Sequence, residues 1–192
     1  MKYGLLILSA PSGAGKSTLC TRLLARLSDR IRLSVSSTSR APRGAEVSGR
    51  EYFFLTADEF KASIQKNFFA EWALVHDHYY GTAKSTIEGA WNQNKHVLLD
   101  IDVQGAKTLA DLYGKQAYRI FISPPSIVEL EARLRSRGTD SEEVIQKRIR
   151  NAQAEMDRQD EFDSIIVNDI LEEAYEELEN QVLKVLKDWE GQ

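Results

Sequence analysis

Residues 9–18 read SAPSGAGKST, one substitution away from the pattern G-x-x-x-x-G-K-[ST]. Gly15, Lys16 and Ser17 stand in place, and Ala10 takes the position of the first glycine. A loop of this kind holds an anion through backbone N–H groups turned inward at a helix N-terminus. Glycine is needed where φ must be positive or where a side chain would strike the anion, which points to Gly13 and Gly15 within the turn. Position 10 falls at the strand exit, where a small side chain fits. The flanks agree. Leu5–Ser9 is a short apolar run of the kind found in buried parallel strands, and Leu19, Leu23, Leu24 and Leu27 follow at helical spacing. Strand, glycine loop and helix in that order favour a phosphate cradle over an ordinary glycine turn. Lys16 is then placed for the β- and γ-phosphates of a nucleotide, and the Ser17 hydroxyl for Mg²⁺.

The same alternation continues outward. HVLLDID (96–102), AYRIFIS (117–123) and SIIVN (164–168) are strand candidates, each followed by a helical pattern. Ser126 with Glu129, and Thr139 with Glu142, have capping-box spacing. The final helix carries Leu171, Ala174, Tyr175, Leu178, Val182, Val185, Leu186 and Trp189 on one stripe, with acids opposite, as expected of a helix docked on a core. Alternating strands and helices predict an α/β fold with a parallel sheet. Residues 34–93 break the rhythm. REYFFLT (50–56) and ALVHDHYYGT (73–82) are strand-like, and Thr56 with Glu59 and Ser85 with Glu88 are further capping-box candidates. A small mixed sheet inserted into the core is the expectation. The arginine-rich stretch 133–150, broken by Gly138 and Thr139, reads as a helical cover.

The bulk composition is that of an ordinary globular chain: 192 residues, 42% hydrophobic and 28% charged. A net charge of −4 argues against a broad surface for polymeric nucleic acid. No apolar run approaches a membrane span, and the opening MKYGLLILS ends in the glycine loop rather than a cleavage site, so it reads as a strand and not a leader. The single cysteine, Cys20, allows no internal disulfide and fits a reducing, cytoplasmic setting. It reads as a small buried side chain. His76, Asp77 and His78 resemble a metal cluster, but successive residues on a strand alternate faces, so a loop or exposed strand is the better reading. Oligomeric state has no signal in the sequence.

In VLLDID (97–102) an apolar strand ends in acids. Asp100 is positioned to hold Mg²⁺ through water, and Asp102, two residues on, points to the same side. No obvious glutamine orients a hydrolytic water, which favours transfer to a bound acceptor. For that acceptor, Arg40, Arg43 and Tyr52 offer two guanidinium forks and a phenol, suited to a monophosphate or equally to a solvated basic loop. Glu71 lies in the aromatic-rich FFAEWA (68–73), and YYGT (79–82) follows. One carboxylate can accept both N1–H and N2–H₂ of guanine, and a hydroxyl of Ser36 or Thr82 can meet its O6.

Taken together, SAPSGAGKST, SVSSTSRAPRGAEVSGREYFF, YYGT, LLDIDVQGA, RLRSRGTDSEEVIQKRI and IIVND closely resemble the guanylate kinases of the nucleoside monophosphate kinase group, over nearly the whole chain. Bacterial members also place alanine at the first loop position. The resemblance implies ATP and GMP as substrates, with dGMP a further acceptor, Mg²⁺ as the metal, and a place in guanine nucleotide supply. It implies a three-layer P-loop core with a five-stranded parallel sheet (1–33 and 94–192), a GMP-binding insert (34–93) and a lid at about 125–150. ATP would lie on Ala10, Pro11, Ser12, Gly13, Ala14, Gly15, Lys16, Ser17 and Thr18, with Asn168 at the donor base. The GMP phosphate would meet Arg40, Arg43, Tyr52 and Tyr80; the guanine would meet Ser36, Glu71 and Thr82, with Asp102 nearby. Lys16, Arg40 and the lid residues Arg137 and Arg148 would act on the transferring phosphate, with Arg133 a third lid candidate. Two other readings stay open: a kinase for AMP or a pyrimidine nucleotide, which has no use for Glu71, and a silent binding module, which typically has a degraded phosphate loop.

Overall fold

The apolar run ahead of the glycine loop forms β1 (Leu5–Ser9), and Lys16 opens α1 (Lys16–Arg26) at once after the loop. A short β2 (Ile31–Leu33) follows. The chain then leaves to build β3 (Ser37–Thr38), β4 (Phe53–Phe54), α2 (Ala57–Gln65), β5 (Phe69–Val75) and β6 (His78–Ala83). It returns through α3 (Lys84–Trp91), β7 (His96–Asp100), α4 (Val103–Tyr113) and β8 (Ala117–Ser123). Two helices, α5 (Ile127–Ser136) and α6 (Glu142–Met156), precede β9 (Ser164–Val167) and the long α7 (Leu171–Glu190). The structure is a computed structural model that describes residues 3–75, 77–136, 138 and 140–191.

The main sheet has the order β2-β7-β1-β8-β9 and is parallel throughout. Both faces of β1 are buried, which is why it reads as a continuous apolar run. Leu6 and Leu8 join α1 and α7 through Leu19, Leu23, Leu178, Val182 and Leu186 on one side. Leu5 and Ile7 join α3 and α4 through Ile87, Ala90, Ala106 and Leu109 on the other. The result is the expected three-layer α/β core. The second sheet, ordered β4-β3-β6-β5, is mixed: β3 and β4 run parallel, the other pairs antiparallel. Cys20 is buried in the first cluster, and burial pushes its thiol up to about 12, as befits a packing residue.

Several local expectations need correction. Residues 73–82 form not one strand but the meeting of β5 and β6, turned at Asp77, whose φ is 66°. REYFFLT contributes only the two residues of β4. Thr56 and Glu59 form the full reciprocal capping box, and Ser126 Oγ accepts the N–H of Glu129 at 3.1 Å. Ser85 lies inside α3, whose N-cap is Ala83. The cap of α6 is Ser141, which places Glu142 at the first helical position rather than the third. Thr139 itself, like His76 and Arg137, lies outside the described residues.

The carboxyl ends of the parallel strands fix the site. The loop after β1, Asp100 at the end of β7 and Asn168 just past β9 all emerge at that edge, where α/β sheets form their binding crevices. The hairpin of β5 and β6 faces it from the second sheet.

Candidate active site

The phosphate loop takes the shape its glycines permit. Gly13 and Gly15 have φ of 103° and 88°, values that L side chains rarely adopt. The N–H of Ala14 closes a turn on Pro11 O at 3.1 Å, and Gly15 is the N-cap of α1. Ala10 sits half-buried at the strand exit against the core, so its methyl group has room. The loop borders a cleft of about 420 Å³ whose lining includes Ser12, Gly13, Lys16, Ser17, Thr18 and Asp100. Lys16 forms an ion pair with Asp100. Burial works against the Lys16 ammonium, but the charge and hydrogen bond of Asp100 outweigh it and raise its pKa.

The second sheet and its flanks contribute to the same cleft: Ser36, Tyr52, Glu71 and Tyr80 line it. The β5–β6 register places Glu71 opposite Thr82, and Thr82 Oγ1 donates to Glu71 Oε1 at 2.6 Å. The hydroxyl's one hydrogen is thereby spent on Glu71, so Thr82 stands as the partner of the carboxylate rather than as a free donor for a base. Burial pushes Glu71 up to about 7, against the Thr82 hydrogen bond and with the charge of Asp102 adding to it. Asp102 also lines the cleft, but its oxygens cap α4, accepting the N–H groups of Gly105 and Gln104. Gly105 is what lets that helix approach: a Cβ there would fall 2.7 Å from Glu71 Oε2.

Arg40 is buried, with Nη2 donating to Glu46 at 3.0 Å and Nη1 to Ala41 O at 2.7 Å. Its guanidinium lies 5.4 Å from the Tyr52 ring centroid, and Tyr52 meets Tyr80 edge to face. Arg43 is exposed, and its backbone N–H donates to the other oxygen of Glu46. Glu46 thus ties the two arginine positions together. From α6, Arg148 Nη1 reaches Ser12 Oγ in the loop at 3.4 Å and pairs with Asp140 at 3.3 Å. Arg133 is engaged elsewhere, on Glu129 and on Asn168 O. Three contributors escaped the sequence reading: Glu46, Gly105 and Glu155. Glu46 had a visible signal, an acid three residues past Arg43 in a basic loop. Glu155 lines the cleft from α6, and burial pushes it up to about 7 with Lys16 opposing; nothing near it in sequence marks it.

One end of the cleft therefore offers a backbone cradle with a lysine, a serine and an aspartate. The other offers a buried carboxylate with aromatic and guanidinium neighbours. The family model described as guanylate kinase matches residues 2–185. Guanylate kinase of Porphyromonas gingivalis is 45% identical over 95% of this chain and 97% of its own length. That of Nitratidesulfovibrio vulgaris is 49% identical over 90% and 83%. Among solved structures, the crystal structure of guanylate kinase from Anaplasma phagocytophilum superposes with a TM-score of 0.77 at 30% identity, covering 96% of this chain and 87% of that one. Motif, cleft and relatives agree, and the chain belongs to the guanylate kinase family.

Proposed function

We propose that the cleft carries the γ-phosphoryl group of ATP directly to the phosphate of GMP, and of dGMP, giving ADP and GDP or dGDP. The observation behind this reading is that the buried carboxylate of Glu71, from the inserted sheet, and the phosphate-loop Lys16, from the core, line one cleft. Phosphoryl transfer needs in-line positioning and charge neutralisation more than covalent chemistry. Glu71 accepts the N1–H and N2–H₂ edge of guanine, with Ser36 beside it and Thr82 and Asp102 shaping the carboxylate's surroundings. Arg40, Arg43, Tyr52 and Tyr80 hold the acceptor phosphate. An oxygen of that phosphate attacks the γ-phosphorus, and the bond from phosphorus to the β-bridging oxygen breaks. No general base is required, because the attacking oxygen is mostly unprotonated near neutral pH. Lys16, Arg148 and Arg137 neutralise charge on the transferring group, and the cover formed by α5 and α6 excludes water. The inserted sheet acts as the acceptor-binding unit and the rest as the P-loop core.

The donor set suits Mg²⁺. Ser17 and Asp100 offer hydroxyl and carboxylate oxygens on the same cleft, and among the described residues no group of three or more acidic, cysteine or histidine side chains could hold an ion alone. Mg²⁺ is ordinarily bound in this way, by one or two protein oxygens with phosphates and water completing the shell. When bound it neutralises charge on the β- and γ-phosphates. We place the enzyme in the cytoplasm; no helix of the described residues is long and apolar enough to cross a membrane.

A coupled assay of ADP formation, with GMP, dGMP, AMP, UMP and CMP offered in turn, tests the reading. GMP and dGMP turn over, and the others run lower by roughly 10² or more, the scale of a site built to hydrogen-bond its substrate. Comparable use of AMP would overturn the guanine assignment, and silence with every acceptor would leave a binding module.

A further inference from the structure

Asn168 follows β9 directly, and the resemblance assigned it to the donor base. The structure gives its side chain another task. It is only 5% exposed, and its Nδ2 donates to the carbonyl of Ala14, inside the phosphate loop, at 2.8 Å. A Cβ at Gly15 would lie 2.2 Å from the same nitrogen, so the amide fills the space behind the loop. Its own backbone is fixed at both ends: the N–H donates to Ser123 O at 2.8 Å, and Arg133 Nη1 donates to its carbonyl at 2.9 Å. The helix that supplies Arg133 also backs the loop. A Cβ at Gly13 would meet Leu130 Cδ1 at 3.0 Å and Leu134 Cδ2 at 3.1 Å.

The consequence follows from peptide geometry. In a trans peptide the C=O of one residue and the N–H of the next point in opposite directions. Holding the Ala14 carbonyl toward Asn168 turns the Gly15 N–H to the opposite side, that of the cleft, which Gly15 lines. With φ of 88°, Gly15 has the freedom of glycine, and the peptide before it would otherwise be free to rotate.

We propose that Asn168 is a positioning residue of the phosphate loop, which sets the Gly15 N–H for the triphosphate chain of the donor and does not read the donor's base. The proposal deepens the kinase reading and rests on it. Asn168→Asp is the sharp test. It keeps the size and the Oδ1 acceptor, but sets a carboxylate oxygen against the Ala14 carbonyl. At saturating GMP, kcat and KM are measured with ATP, UTP and CTP as donors, together with the inhibition constant of inorganic tripolyphosphate, which has no base. GMP affinity and a thermal melt report on the rest of the fold.

The expected result is a fall in kcat/KM of about tenfold or more, in parallel for all three donors, as for the loss of one charge-aligned donor. The tripolyphosphate constant rises in step, while GMP affinity stays within about twofold of wild type. A loss confined to ATP with unchanged tripolyphosphate inhibition would make Asn168 a base reader and overturn the proposal. So would wild-type kinetics, or a smaller active fraction with every KM and inhibition constant unchanged, the signature of a merely structural role. If N168D does not fold, N168A, which removes the donor without adding charge, is read by the same criteria. Failure of the kinase reading is visible separately, as wild-type protein that does not phosphorylate GMP; tripolyphosphate binding to wild type and variant then still decides the role of Asn168.

Discussion

At Glu71 a carboxylate is held inside the protein with one hydroxyl for company, and its protonation is delicately placed. Burial puts its pKa at about 7 against an ordinary 4.5. Guanine seated on that carboxylate, as proposed, would favour the charged form through the two donors on its edge. Binding would then expel a proton, and affinity should tighten as pH rises toward and through 7. With guanosine as the probe, which has no phosphate to titrate, affinity should improve by roughly tenfold between about pH 6 and pH 8. Glu71→Gln should abolish that slope, lower kcat/KM for GMP by roughly 10² and narrow the preference for GMP over AMP. A folded E71Q protein with wild-type preference would remove Glu71 from base recognition. Gly105→Ala probes the same atom from the other side. The added methyl group would land 2.7 Å from Glu71 Oε2 and 3.2 Å from Asp102 Oδ1. Alanine is the better helix former by about 1 kcal/mol, which offsets part of the cost of displacing the buried carboxylate, while KM for GMP rises about tenfold and KM for ATP is unchanged. An unaltered KM for GMP would show that the carboxylate has room to yield. Glu71 was legible because an acid among aromatics is chemically conspicuous. Gly105 was not, because its reason is a side chain thirty-four residues away.

Among the elements, α5 and α6, the proposed cover, are joined directly to the phosphate loop. Leu130 and Leu134 pack with Ala152 and back Gly13, and Arg148 reaches Ser12. Arg148→Ala should lower kcat by roughly tenfold or more and leave GMP affinity nearly unchanged, because charge on the transferring group is largest in the transition state. Equal losses in GMP affinity and kcat/KM, with kcat constant, would make Arg148 an ordinary binding residue. The core strands could be read in the sequence because both their faces are buried, which leaves uninterrupted apolar runs. The small strands could not. β3 and β4 are two residues long, too short for any period to show, and the β5–β6 turn uses Asp77 in place of a glycine or proline marker. Helix starts failed where two hydroxyls competed: Thr139 and Ser141 both precede acids, and only the folded chain picks Ser141.

Across the molecule, the first strand and the last helix are locked around one imidazole. His96 Nδ1 accepts the N–H of Gly4 at 3.1 Å, its Nε2 faces Glu190 at 3.3 Å, and its ring stacks on Trp189. Burial lowers its pKa, with Arg30 adding and Glu190 opposing. A depressed histidine pKa means that the unfolded chain takes up the proton more readily, so this stability is present above the ordinary value of about 6.5 and is lost as pH falls. The His96 contribution to stability therefore shrinks from pH 7 to pH 5, while the buried carboxyls of Glu71 and Glu155, raised to about 7, work the other way. His96→Gln, which keeps an acceptor for Gly4 but cannot titrate, should gain melting temperature relative to wild type as pH falls over that range; a constant difference would clear His96 of the effect. The centre of the sheet has its own consequence. Among the described residues β1 pairs with β7 and β8 alone, and the Gly4–His96 contact already spans 92 residues. At a synthesis rate of roughly 5–20 residues per second, the interval before either neighbour exists is of the order of 5–20 s. On the ribosome, LLILS must emerge early and wait, which makes this segment a natural resting place for a chaperone on the nascent chain.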